Sequence, residues 1–208
     1  MSRIFRVVIV CLSIVACAGC AGLLDPGPPI SQVILPVRMP IAEEADRMPA
    51  QLLVSRPVTD AATGTDRIMA LMNNFEVRAL DSAKWVSPVP AMIQSLLIDS
   101  LESTRRLQGV GREESGMNAT FRLATDVRRF YLRYESADRP PTADVALVLG
   151  LTEIRSGKVV ARKLIFVEQP CSENSVREFV AAFSQAMSKA LAQINEWVLE
   201  SIAEKIGK

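Results

Sequence analysis

Cysteine is the residue type best placed to do chemistry in this chain of 208 residues, because the chain contains no histidine. Without an imidazole there is no Ser-His-Asp triad, no Cys-His pair and no histidine-bearing zinc site. Cys17 and Cys20 lie close together near the N-terminus, whereas Cys171 stands alone far downstream. The sequence therefore disfavours a hydrolase and directs attention to the two neighbouring thiols.

The rest of the chain carries no motif that predicts a nucleotide, metal or acid–base site. There is no Gly-rich phosphate loop followed by Lys and Ser or Thr, and no Gly-x-Gly-x-x-Gly. The neighbouring carboxylates of Glu43-Glu44 and Glu113-Glu114 point apart on any regular element, so they are interpreted as solvated surface. We therefore expect no catalytic residues, no cofactor and no metal.

A cluster of arginine and aromatic residues predicts a contact surface. On a strand, Arg129, Tyr131 and Arg133 share one face, and four neighbours share the opposite face: Arg128, Phe130, Leu132 and Tyr134. The first three are candidates for contact with an anionic ligand or a partner. The alternative is an exposed strand with aromatic cross-strand packing. A net charge of +1 argues against nucleic acid.

The N-terminal segment predicts an export signal. Arg3 and Arg6 are followed by an uncharged run over residues 7–16, and small residues surround Cys17 and Cys20. This order of basic, apolar and small residues is typical of a secretory signal. The uncharged stretch reaches residue 24, about the length of a membrane span. Its second half is Ala, Gly and Cys, which favours cleavage over spanning.

Both cysteines resemble the lipidated cysteine of bacterial lipoproteins. Residues 14–17 (IVAC) satisfy every position of the lipobox, whereas residues 17–20 (CAGC) have the favoured Gly but a Cys where Leu is usual. Both frames stay open, with Cys17 favoured over Cys20. The remaining alternative is a plain signal peptide or an uncleaved anchor. Neither cysteine is followed by Asp, which resembles the default for sorting to the outer membrane.

These features divide the chain into three predicted segments. A signal peptide covers residues 1–16 or 1–19, a lipid anchor and Pro-rich tether covers 17–31, and one domain covers 32–208. Cleavage at Cys17 leaves 22 basic and 23 acidic side chains, a formal charge of −1. Cys171 is interpreted as a buried structural cysteine, the alternative being a disulfide with Cys20.

The elements that must position these residues follow from periodicity and turn chemistry. One helix is predicted from Pro88 to about Leu107, capped by Ser87 and stopped by residues 108–111, and a second, long helix over residues 175–205. Asn73-Asn74 and Gly157 are expected at hairpin turns. Strands are predicted at residues 32–37, 51–58, 67–71, 75–80, 119–134, 143–154 and 159–168. This order predicts a single α+β domain, with two helices packed on one face of a largely antiparallel mixed sheet.

The pattern as a whole resembles the ABC-type transport auxiliary lipoproteins of the paraquat-inducible protein C type. The resemblance lies in the lipobox and tether, the early strand at residues 33–36 (VILP), residues 66–68 (DRI), and Trp85 followed by Pro88. Gln32 and Val33 stand where the family has an aromatic pair.

This resemblance implies a non-catalytic periplasmic component, anchored by lipid at the outer membrane. Its implied partners are an MCE-domain substrate-binding protein and an ABC permease and ATPase, and it can form a homo-oligomer. Trp85 joins Arg129, Tyr131 and Arg133 as a candidate partner contact. The alternative function is a lipoprotein that activates or scaffolds a cell-wall synthase.

Overall fold

A computed structural model describes residues 30–42 and 46–207 of the protein. The predicted signal peptide, both candidate lipidation cysteines (Cys17 and Cys20), most of the tether, and Glu43-Glu44 lie outside the described residues. Within the described part of the chain, no helix has the length and apolar character that crossing a membrane requires.

Nine strands and two helices follow one another along the described chain. The helices are α1 (Val89–Ser103) and α2 (Val176–Ile206), and a 3₁₀ turn at Glu113–Ser115 follows the sixth strand. The strands are β1 (Ser31–Val33), β2 (Met48–Val54), β3 (Val58–Thr59), β4 (Arg67–Leu71), β5 (Val77–Trp85), β6 (Leu107–Arg112), β7 (Phe121–Arg133), β8 (Thr142–Glu153) and β9 (Val159–Pro170).

Strand β7 organises the sheet because it has neighbours on both of its edges. On one edge it pairs antiparallel with β8, which in turn pairs antiparallel with β9. On the other edge β2, β3 and β4 pair with it in succession, all parallel to it. Beyond these, β5 and β1 extend the sheet past β4, and β6 extends it past β2. The sheet is therefore mixed and its longest ladders are antiparallel, which confirms the predicted fold class.

Three aromatic rings lock the long helix onto the sheet. The ring centroids of Trp85 and Phe183 lie 5.5 Å apart in an edge-on arrangement, and those of Phe130 and Phe183 lie 4.6 Å apart and stacked. Because Trp85 ends β5, Phe130 lies on β7 and Phe183 on α2, the cluster joins three elements. The shorter helix is fixed by Gln94, whose buried amide donates to the Val54 carbonyl at 2.9 Å. Both helices thus share one core with one face of the sheet.

A β-bulge in β7 decides which side chains face the helices. The register shifts between Val127 and Arg129, so the buried side chains are odd-numbered before the bulge and even-numbered after it. Arg129, Tyr131 and Arg133 therefore share the face away from the helices, as predicted. Arg128 was predicted to face the same way as Phe130, which is wrong. As the bulged residue it is exposed, and it pairs with Asp126 at 2.7 Å.

The first helix differs from its prediction at both ends. Its N-cap is Pro88 and no side chain caps it, so the predicted Ser87 cap is wrong. The helix ends at Ser103, and residues 108–111 belong to β6 instead of forming a stop. Residues 108–111 form a strand because β6 pairs with β2 in a parallel ladder, and β2 lies more than fifty positions earlier in the chain. Local sequence carries no signal for that pairing.

Two other predicted strands are shorter in the structure, and each predicted segment contains a proline, which cannot donate to a ladder. The first strand, predicted over residues 32–37, stops at Val33, three residues before Pro36. The second, predicted over residues 51–58, is divided at residues 55–57, which include Pro57, into β2 and β3. Both segments still contribute buried residues, including Leu35 and Leu52, to the core.

The two hairpins are confirmed, with one correction. Gly157 has a φ of 66° in the β8–β9 turn, as expected for glycine. In the β4–β5 turn the positive φ of 63° belongs to Phe75 and not to Asn73 or Asn74. The Asn74 side chain instead accepts a hydrogen bond from the Glu76 amide at 3.2 Å.

Candidate docking surface on the outer sheet face

The side of β7, β8 and β9 that points away from the helices carries the predicted contact residues. The ladder register places Arg129, Ala146 and Phe166 in one row, and Tyr131, Asp144 and Glu168 in the next. Leu164 lies in a further row, beside Val148. We call this surface the outer face and define it by seven side chains: Arg129, Tyr131, Arg133, Asp144, Leu164, Phe166 and Glu168.

Asp144 is the buried centre of the outer face, with a side chain that is 0% exposed. The Arg133 Nε donates to Asp144 Oδ2 at 3.0 Å, and an Arg129 guanidinium nitrogen lies 3.9 Å from the same oxygen. Asp144 Oδ1 has no hydrogen-bond partner among the described residues. Burial raises the pKa of the Asp144 carboxyl, and this effect exceeds the opposing effect of the two arginines.

Arg133, at the end of β7, links β7, β8 and β9 through three carboxylates. Besides Asp144 on β8, it donates to Glu168 on β9 at 2.7 Å and to Glu135 at 2.9 Å. The hydrogen bond to Asp144 is the main reason that the pKa of Arg133 is raised. With three of its N–H groups bonded to carboxylates inside the fold, Arg133 serves mainly to position the outer face.

Arg129 and Phe166 form the accessible part of the outer face. The Arg129 guanidinium carbon lies 5.3 Å from the centroid of the Phe166 ring, a cation–π contact. Phe166 is 45% exposed and its neighbour Leu164 is 63% exposed. Exposed aromatic and arginine side chains on a rigid support are typical of residues that contribute most to protein interfaces.

Tyr131 is half-buried beside this pair. Burial is the main cause that raises its pKa, so the phenol stays protonated at neutral pH and can donate a hydrogen bond. Tyr131 and Arg129 thus place hydrogen-bond donors beside the exposed apolar ring of Phe166. The structure thus brings together the three surface residues that the sequence singled out.

Leu164 and Phe166 were missed by the sequence reasoning, although a signal for them existed. In β9 the inward residues Ile165 and Val167 alternate with Leu164 and Phe166, so both faces of the strand are apolar. A strand that faces water on one side usually alternates apolar with polar residues. Apolar side chains on both faces of β9 therefore indicate a second contact surface.

Trp85 lies on the other side of the sheet from these residues. It is 1% exposed and enclosed by Phe130 and Phe183, so a partner cannot reach its ring and it is removed from the candidate contacts. Its backbone N–H donates to the Asp66 carbonyl at 2.7 Å, and the Asp66 carboxylate pairs with Lys84 at 2.8 Å. Asp66 and Trp85, which belong to the pattern that resembles the family, therefore have a structural role.

The described residues contain no group of three or more His, Cys, Asp or Glu side chains that could hold a metal ion. Cys171 is a free thiol and is buried, as expected of a structural cysteine, while Cys20, the partner in the alternative disulfide, lies outside the described residues. Burial raises the pKa of the Cys171 thiol to about 11, so it stays protonated and unreactive at neutral pH.

A mixed sheet covered by two helices, with a rigid and partly apolar outer face, defines a binding or accessory domain. Comparison with known families identifies its kind. Residues 34–195 match the ABC-type transport auxiliary lipoprotein component family. The match covers well over half of the chain, and the protein belongs to this family.

Individual relatives and solved structures match this chain at low sequence identity. An uncharacterized protein of Bradyrhizobium diazoefficiens is 23% identical over 187 residues, which cover 89% of this chain and 50% of the relative. The chain therefore spans about half the length of that curated relative. A crystal structure of a Xanthomonas campestris protein is 23% identical, with a TM-score of 0.77 over 86% of this chain and all of that chain. A hypothetical protein of Chlamydia trachomatis, at 8% identity, covers 74% of this chain and 98% of its own, with a TM-score of 0.54.

Proposed function

We propose that the protein is a lipid-anchored periplasmic component that docks an ABC-type lipid transport assembly at the outer membrane. Membership of the auxiliary lipoprotein family supports the transport role. The lipobox frames ending at Cys17 and Cys20 support the anchor, with the tether up to residue 31 as a spacer. The proposed partner that contacts the domain is the MCE-domain substrate-binding protein, and the domain itself catalyses no reaction.

The observation that carries the docking role is the outer face. Leu164 and Phe166 expose apolar area on a sheet side that has no helix over it among the described residues. The Arg133 hydrogen bonds to Asp144 and Glu168 tie the three strands beneath them. A surface that is already rigid loses little conformational entropy when a partner binds, which favours affinity.

The chemistry of the outer face defines what its partner presents. Phe166 and Leu164 match an apolar side chain, and the half-exposed Arg129 matches a carboxylate at its edge. Arg129 keeps its contact with the Phe166 ring. An apolar side chain of the partner can therefore pack against the exposed part of the ring, while a neighbouring carboxylate of the partner pairs with the Arg129 guanidinium. We therefore expect the MCE-domain protein to offer an apolar segment flanked by Asp or Glu.

Co-purification tests this proposal. The tagged full-length lipoprotein is captured from detergent-solubilised envelopes, and the recovered MCE-domain protein is quantified by mass spectrometry. The double variant Arg129→Ala with Phe166→Ala should lower recovery by about tenfold or more, as expected for hot-spot residues. The matched control, Arg177→Ala with Phe75→Ala, removes an exposed arginine and an exposed phenylalanine elsewhere and should leave recovery unchanged.

A steric variant gives an independent check on the same surface. Gly150 lies on β8 between Ala124 and Arg162, and a Cβ built on it meets no atom within 4 Å. Gly150→Trp should therefore fold normally while its ring, one row beyond that of Leu164, extends over the outer face and hinders docking. Recovery of the MCE-domain protein at wild-type levels with this variant would contradict the outer face as the docking site. Recovery of a cell-wall synthase in place of any MCE-domain protein would support the alternative function and overturn the proposal.

The anchor is tested separately. Intact mass of the membrane-extracted protein should show diacylglycerol on Cys17, or on Cys20 if the second frame is used. Cys17→Ser and Cys20→Ser distinguish the two, because only the variant that lacks the acceptor thiol loses the lipid. Density-gradient fractionation should place the wild-type protein with outer-membrane markers. An unmodified full-length chain would contradict lipidation.

A further inference from the structure

Strand β9 is a long edge strand with one free side. It spans twelve residues and pairs with β8, and no other described strand pairs with it. A free edge presents a row of backbone N–H and C=O groups that can pair with another chain. Besides the charged residues Arg162, Lys163 and Glu168, β9 carries Leu164 and Phe166, two of the large exposed apolar side chains.

We infer that β9 pairs antiparallel with β9 of a second copy of this chain, about a two-fold axis at Ile165. Residues paired across an antiparallel ladder lie on the same face of the sheet. This register therefore sets Leu164 opposite Phe166 of the second copy, on the outer face. On the same face it sets Arg162 opposite Glu168 of the second copy. The two-fold axis repeats each pair, so the interface contains two apolar pairs and two ion pairs.

The complementarity belongs to this register. A shift by one residue would place outward side chains of one copy opposite inward side chains of the other. A shift of the axis to Leu164 would set Arg162 opposite Phe166, and a shift to Phe166 would set Leu164 opposite Glu168. Both shifts oppose a charged side chain to an apolar one and lose the ion pairs. On the outer face, the alternation of β9 is thus self-complementary about Ile165, whereas on the inner face the same register sets Lys163 opposite Val167.

The charged residues are available for this pairing. Arg162 is exposed and forms no ion pair within the described part of the chain. Glu168 uses Oε1 to accept from Arg133 at 2.7 Å, which leaves Oε2 for the Arg162 guanidinium of the second copy. A guanidinium and a carboxylate opposite each other across strands stabilise the pairing, and two like charges destabilise it.

This inference goes beyond the proposed function, because it rests on β9 and not on the identity of any transport partner. Pairing through β9 continues β7, β8 and β9 of each copy into one sheet. The two outer faces then lie side by side and double the docking surface. A dimer that forms without an MCE-domain partner would leave the inference standing even if the docking proposal failed.

Charge exchange tests the register. Native mass spectrometry and sedimentation of the full-length lipoprotein in detergent should show a dimer. Arg162→Glu places like charges in both ion-pair positions and should raise the dissociation constant by about tenfold or more. Combining it with Glu168→Arg restores opposite charges across the strands but removes an acceptor of Arg133, so the constant should fall at least about threefold below that of Arg162→Glu without reaching the wild-type value. The matched control Arg177→Glu, an exposed arginine on α2, should not change it.

Hydrogen exchange supplies a second readout. The β9 amides that point to the free edge, away from β8, should become protected as protein concentration rises in the wild type, and should stay unprotected in Arg162→Glu. Circular dichroism checks that each variant is folded, which the exposure of Arg162 and Glu168 favours. A protein that is monomeric at all concentrations, or an oligomer whose stability is the same with and without Arg162→Glu, would overturn the inference.

Discussion

Replacement of Asp144 is the perturbation that tests the outer face most directly. The carboxylate is fully buried, yet only Oδ2 is satisfied, by Arg133 at 3.0 Å. Asp144→Asn keeps the shape and one acceptor oxygen while removing a charge that burial opposes. We expect the free energy of unfolding of this variant to lie within about 1 kcal/mol of the wild type at neutral pH.

Asp144→Ala serves as the contrasting variant. It leaves Arg133 without its central acceptor, and breaking a fully buried pair usually costs about 3–5 kcal/mol. Arg133 retains Glu135 and Glu168, and its side chain is 29% exposed, so water and two carboxylates compensate in part. The expected loss is therefore roughly 1.5–3 kcal/mol, the range for a hydrogen bond to a charged group.

The pH dependence separates burial from ion pairing. Because burial raises the pKa of Asp144 in the folded state above its unfolded value of about 3.9, the folded state binds more protons between the two values. Wild-type stability contributed by this group thus falls as pH rises through that interval. Asp144→Asn has no such titration. Its free energy of unfolding relative to the wild type should rise from about pH 4 upward and become constant above the folded pKa.

Urea unfolding followed by far-ultraviolet circular dichroism between about pH 4 and pH 8 measures this difference. Carboxyls with a lowered pKa, such as Asp66 beside Lys84 and Glu76 beside Arg78, titrate alike in both proteins and cancel in the difference. A difference that stays flat would show that Arg133 and Arg129 cancel the effect of burial, and one that falls as pH rises would show that they outweigh it. Either result would refute the reasoning.

Three further predictions concern the core, the turns and the remaining thiol. Phe183→Ala removes a ring that stacks on Phe130 at 4.6 Å and should lower the free energy of unfolding by about 3–5 kcal/mol. Phe183→Leu should lose less than half of that. Equal losses in urea unfolding would contradict the role of the aromatic cluster in holding α2 on the sheet. Phe75 is 88% exposed at a φ of 63°, so Phe75→Asn should raise the free energy of unfolding by about 0.5–1 kcal/mol. Gly157→Ala, at a φ of 66°, should lower it by about 1 kcal/mol. Thermal melting that shows the opposite signs would contradict the turn geometry. Burial raises the pKa of Cys171 to about 11, so the thiol should be alkylated at pH 8 about a hundredfold more slowly in the native protein than after unfolding. Peptide mass spectrometry measures both rates. Comparable rates would mean that the thiol is accessible.

The sequence patterns that gave correct elements were those that act locally. The two helices, the long strands β7, β8 and β9, and both hairpins follow from periodicity and turn residues within about ten positions. Strand β6 was missed because its residues, Leu107–Arg112, are completed by a ladder to β2. The bulge at Arg128 was missed because nothing in the residues themselves marks where a ladder slips.

The candidate site divides in the same way. Alternation along β7 was enough to place Arg129, Tyr131 and Arg133 on one face. That face is a site only because β8 brings Asp144 beneath the arginines and β9 brings Phe166 beside Arg129. Those contacts join residues up to thirty-seven positions apart, and single-sequence patterns do not report them.

What the sequence by itself determined is which residue types are available for chemistry and the order of the main elements, and it also predicts an export and lipidation signal. These depend on residue types and on spacing along the chain, which are visible without a fold. Only the tertiary structure decided that Trp85 is buried against Phe130 and Phe183, while Leu164 and Phe166 are exposed. The physical reason is that the burial of an apolar side chain depends on what packs over its face of the sheet. Here both helices pack on one side, which buries the tryptophan and leaves the outer face open to a partner.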